Sequence, residues 1–95
     1  MLRIPRSSVE YVPAPVTGPV ELAELPVHMA ILPVGQDPAP ADWKAAAWTE
    51  DGGQAVVLIG PDTPLDLDKG TYMIWVRVTS DPEIPVMESG KLQIT

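Results

Sequence analysis

From Gly70 to Thr79 the chain reads Gly-Thr-Tyr-Met-Ile-Trp-Val-Arg-Val-Thr. β-Branched and aromatic side chains follow one another almost without a break, the composition that fits a pleated, half-buried surface. Alternation divides the run into two faces. Tyr72, Ile74, Val76 and Val78 make an apolar face, and Thr71, Met73, Trp75, Arg77 and Thr79 make a mixed one. Twelve of the 95 residues are proline, against an average usage of about 5%. Prolines at this density exclude long helices and keep out of central strand positions, but they suit turns and sheet edges. The run from Thr71 is therefore read as the long strand of an all-β fold.

The rest of the chain supplies shorter strand signals. Residues 7–12 are a candidate first strand, and residues 13–19, with three prolines, an edge or a strand switch. Residues 20–25 are a short strand or an irregular segment. Val27 to Leu32 alternates with both faces fairly apolar. Residues 42–49 carry a helix-capping Asp42 but are short for an isolated helix. They are read as a strand, with Trp43 as its large core residue and three alanines giving it room. Glu50-Asp51-Gly52-Gly53 is a hairpin turn leading into residues 54–59. Residues 85–90 read as an extended edge ending in a turn, and residues 91–95 as a last strand. About seven strands with turns at short intervals predict an antiparallel sandwich. Leu67, Gly70 and Tyr72 share the Leu-x-x-Gly-x-Tyr spacing that resembles the tyrosine corner of immunoglobulin-like sandwiches. That likeness implies a Tyr72 hydroxyl bonded back to the backbone a few residues upstream.

Ninety-five residues suffice for one core. The formal net charge is −7, yet Arg3 and Arg6 stand in the first eight residues without a neighbouring acid. Residues 1–6 are expected to form an extended basic arm and residues 7–95 a single sandwich domain. The acidic balance argues against nucleic acid, because phosphate neutralisation needs clustered bases. No apolar run approaches the ~20 residues of a membrane span, and no apolar segment follows the first six residues as in a signal peptide. Synthesis in the cytoplasm without export is the expectation.

Catalytic signals are weak. There is no cysteine and one histidine, so thiol chemistry and paired histidine ligands are excluded. His28 lies mid-strand among apolar residues and is read as structural. Asp62, Asp66 and Asp68 do not match a calcium loop and are read as a solvated edge. No phosphate-binding glycine loop or nucleophile elbow occurs. Neither an enzyme, a cofactor nor a metal is expected. Met73, Trp75 and Arg77, opposite the apolar face of the long strand, are either a second covered face or an exposed patch that anchors a partner.

Several runs carry a family resemblance: Asp42-Trp43 with Ala47-Trp48; Val57 to Pro61; Leu67 with Gly70-Thr71-Tyr72; Trp75 to Thr79; Pro82 to Val86; Gly90 to Ile94. Ile4-Pro5-Arg6 with Val9 to Val12 adds to it. Together they resemble small immunoglobulin-like virion proteins of tailed phages infecting actinobacteria. The resemblance implies a structural component of the virion: a capsid decoration protein docked on the major capsid protein, or a head-to-tail or tail component. It implies neighbouring virion proteins, or copies of itself in a lattice, as partners. Arg3, Ile4 and Arg6 of the arm, with Met73, Trp75 and Arg77, are the candidate partner contacts. A carbohydrate- or receptor-binding module using Trp48 and Trp75 as stacking platforms is the reading from another class.

Overall fold

The computed structural model describes residues 2–16, 25–50, 52–80 and 82–95. They form eight strands: β1 (Leu2–Ile4), β2 (Glu10–Pro15), β3 (Val27–Pro33), β4 (Lys44–Ala45), β5 (Ala47–Trp48), β6 (Gln54–Ile59), β7 (Gly70–Val78) and β8 (Val86–Ile94). One sheet has the order β1-β8-β7-β3-β4 and the other the order β2-β6-β5. The chain is thus an all-β sandwich of two sheets. All pairings are antiparallel except β1 with β8, which run parallel.

The alternation read from the sequence sets the core. Ile74, Val76 and Val78 of β7 are buried, and across β3 they meet Val27, Met29 and Ile31. Val12 and Ala14 of β2 and Ala55, Val57 and Ile59 of β6 close the core from the smaller sheet. Burial of one such side chain contributes roughly 1.5–3 kcal/mol, so this single layer of contacts is what holds the two sheets face to face. Pro13 and Pro15 fall in β2, whose only sheet partner among the described residues is β6. An edge strand tolerates prolines and is blunted by them against further pairing.

The backbone hydrogen bond expected of Tyr72 forms. The Tyr72 hydroxyl donates to the Asp68 carbonyl at 2.7 Å. Burial raises the phenol pKa and the nearby Asp68 carboxylate raises it further, against smaller opposing effects from that hydrogen bond and from Arg6. Leu67 packs at the margin of the core beside it.

Four expectations are corrected. The basic arm is an edge strand: Leu2, Arg3 and Ile4 pair with Leu92, Gln93 and Ile94. Ile4 is buried because alternation along β1 turns it into the core. Residues 42–49 are not one strand. A 3-10 turn at Pro40–Asp42 leads into β4 on the larger sheet, and β5 belongs to the smaller one. The chain crosses between sheets at Ala46, whose amide donates to the Val27 carbonyl. Consequently Trp43 is not the core tryptophan. Trp48 packs against the core instead, its indole N–H donating to the Leu25 carbonyl at 2.9 Å. Finally, residues 86–94 form one strand rather than an edge, a turn and a strand. A register shift opposite Ile74 and Trp75 absorbs Ser89 as a bulge, next to Gly90 at φ +134°. The short segment expected at residues 20–25 lies, up to residue 24, outside the described residues.

Candidate docking face

In a two-sheet sandwich each sheet has one face on the core and one outside. The outer face of the larger sheet is assembled by register. His28 of β3 lies opposite Arg77 of β7 on one side and Ala45 of β4 on the other. Arg77 in turn faces Val86 of β8. Along β7, the next row is Ala30, Trp75 and Glu88, and the one after it Leu32, Met73 and Lys91. By the alternation of β1, Arg3 lies on this face opposite Gln93, which pairs with Thr71.

This face does not have the polar make-up usual for the solvated side of an antiparallel sheet. Ala30 and Leu32 are buried on it, and Trp43, Met73, Trp75 and Arg77 are half-buried. The Arg77 guanidinium reaches past His28 to the Trp43 ring, 4.8 Å from its centroid. Stacking of this kind contributes about 0.5–1 kcal/mol where the pair is open to water and more when it is desolvated.

Three side-chain nitrogens on this face are shut off from water with no hydrogen-bond partner: His28 Nδ1, Trp75 Nε1 and Arg77 Nε. An unsatisfied buried polar group costs about 1–3 kcal/mol. Three of them in adjoining rows is a local concentration of a feature that folded proteins keep rare.

Charge is distributed unevenly between the strands and the loops. Within the strands of the larger sheet the bases are Arg3, Lys44, Arg77 and Lys91, and the only acid is Glu88. Lys44 lies opposite Met29 on the inner side and lines a pocket of about 270 Å³ with Ala45, Val57, Leu58, Pro64 and Leu65. The outer face therefore presents Arg3, Arg77 and Lys91 against Glu88, on a chain whose formal charge is −7. Among the described residues the one salt bridge is elsewhere, between Arg6 and Asp68 at 3.2 Å.

The six candidate contacts separate accordingly. Met73, Trp75, Arg77 and Arg3 share the outer face. Ile4 is in the core, and Arg6 is paired with Asp68 of its own chain. Trp48 and Trp75 do not form one platform, since Trp48 faces the core from the smaller sheet. His28, Trp43 and Lys91 belong to the face and were not singled out as contacts in the sequence. The doubly apolar pattern of β3 signals a covered outer face, which a strand with one face outside the sandwich does not need, but not which residues of other elements share it. Among the described residues no three His, Cys, Asp or Glu side chains group as metal ligands would. No helix of the described residues is long and apolar enough to cross a membrane.

Comparison with protein-family models, with curated proteins and with solved structures finds no match to this chain.

Proposed function

We propose that this protein is a non-catalytic structural module that works by docking, with the outer face of the larger sheet as its contact surface. The observation that carries the reading is the apolar, half-buried layer of Trp43, Met73, Trp75 and Arg77 over Ala30 and Leu32. Trp and Arg lead the residue types that dominate binding energy at interfaces, and such residues sit together in desolvated patches. The sequence resemblance to phage virion proteins supplies the setting. In that setting the chain is a capsid decoration or minor capsid protein on the major capsid shell. Many weak contacts repeated across a shell give firm attachment by avidity.

The test uses particles of a phage that encodes the chain. Trp75→Ser leaves the core face of β7 intact and removes one of the two tryptophans of the outer face. It is expected to fold and to detach from purified particles under conditions that retain the native protein. Retention of Trp75→Ser at native levels would overturn the docking face. Copy number in the same particles separates the settings: hundreds of copies fit a shell protein, and six or twelve fit a head-to-tail connector.

A further inference from the structure

The docking face has a charge opposite to that of the molecule that bears it. Arg77 has its guanidinium on Trp43 and no carboxylate partner among the described residues. Lys91 stands opposite Met73, and Arg3 extends the row of bases towards β1. Glu88, opposite Trp75, is the only acid among these strands. Acids are not scarce in this protein. Among the described residues Asp37, Glu50, Asp62, Asp66, Asp68 and Glu83 lie outside the named strands, and the long strands of this sheet carry only Glu88. A surface that combines three bases without an ion-pair partner among the described residues with Trp, Met and Leu side chains matches a ligand that is both anionic and apolar.

Resting on the docking reading above, we infer that the occupant of this face is an acidic polypeptide segment. Its carboxylates pair with Arg77, Lys91 and Arg3, and its apolar side chains cover Trp43, Trp75 and Met73. A guanidinium can donate two parallel, charge-assisted hydrogen bonds to one carboxylate, and stacking on Trp43 pre-orients it for that role. Nucleic acid is the less suitable anion. Its affinity rests on neutralising a run of phosphates with clustered bases, and this face offers three bases with Glu88 among them. A short acidic segment instead meets the local positive face within a screening length of about 8–10 Å.

The experiment is an NMR titration of the 15N-labelled full chain with three probes. They are a peptide of alternating Glu and Leu, the matching Lys-Leu peptide, and a single-stranded oligothymidine of equal negative charge. The Glu-Leu peptide is expected to shift amides of residues 28–32, 73–77 and 86–91 and to weaken as salt rises from about 50 to about 500 mM. Arg77→Met, which keeps the aliphatic stem, is expected to bind it about tenfold more weakly while retaining the native amide spectrum. The inference is overturned if the Glu-Leu peptide leaves these amides unmoved or if the Lys-Leu peptide binds as well. Undiminished binding by Arg77→Met, or tighter binding of oligothymidine to the same amides, overturns it too. Particle attachment tells the two claims apart. Loss with Trp75→Ser and none with Arg77→Met removes the acidic partner but keeps the docking face, and retention of both variants removes the face itself.

Discussion

The guanidinium of Arg77 stacks on the ring of Trp43 across an intervening strand, 4.8 Å from the ring centroid. The contact joins β7 to the segment just before β4, over His28 of β3. It covers the outside of the sheet, where a sandwich gains nothing from coverage by its own core.

Replacing Arg77 by Met therefore has little effect on stability. The lost stacking, about 0.5–1 kcal/mol, is offset by removal of a buried and unpartnered Nε. Urea denaturation should place the variant within about 1 kcal/mol of the native chain. A loss of 3 kcal/mol or more would mean that Arg77 is an internal structural residue.

Tyr72→Phe removes the hydroxyl that the Asp68 carbonyl accepts from and is expected to cost about 1 kcal/mol. The same residue gives an alkaline signature. Its phenol pKa is raised in the fold, so the folded state favours the neutral form. That contribution is whole below the unfolded phenol pKa of about 10 and is lost as pH rises through the higher folded value. Melting curves of the native chain should fall off above this pH more steeply than those of Tyr72→Phe. Equal slopes would refute the assignment.

The segment around β1 separates two effects that an arm would merge. Ile4→Ala hollows a buried site and should cost about 2–4 kcal/mol. Arg6→Ala breaks a solvent-exposed ion pair and should cost under about 1 kcal/mol, less still in high salt. Deleting residues 1–6 strips a strand from the sheet, so loss of particle attachment by that deletion would report unfolding rather than a lost arm contact. Thermal melts of the two point variants should show this order, and equal melts would mean β1 is detached in solution.

Gly60 is held at φ +124°, and a Cβ there would run into the Ser8 carbonyl and lie 2.9 Å from the Val9 Cα. Its amide also donates to the Leu65 carbonyl at 3.0 Å. Gly60→Ala combines backbone strain of about 1–3 kcal/mol with a backbone clash. A loss of at least about 3 kcal/mol is expected in denaturation. A shift under 1 kcal/mol would show that residues 8 and 9 can move aside.

The legibility of this fold in its sequence varied with how local the deciding contact is. The faces of β7, the Tyr72 hydrogen bond and the hairpin into β6 depend on residues close in sequence, and alternation and turn chemistry expose them. The crossing at Ala46 does not announce itself. Lys44, Ala45, Ala47 and Trp48 suit one strand as well as two, and only the registers with β3 and β6 divide them. Pairing of β1 with β8 is equally silent, because Ile4-Pro5-Arg6 has the composition of an arm and its partner is at the other end of the chain. At the candidate site, Met73, Trp75 and Arg77 were legible from period two alone. His28 joins them from β3, Trp43 from the segment before β4 and Lys91 from β8, and a single-strand pattern does not tell which residues of other elements share its face.

The parallel pairing of β1 with β8 also governs when the molecule can close. Leu2 waits for Leu92, so this segment meets its sheet partner only after all the residues between them have been synthesised. At about 5–20 residues per second, Ile4 and the unpaired edge stay exposed for seconds during synthesis. Until β8 docks, β7 presents a bare edge to any neighbouring nascent chain. Contacts this distant in sequence are the slow ones to form. The strand that finishes the sheet is therefore also the one that ends its vulnerability to mispairing, and crowded translation of many copies is where that vulnerability is greatest.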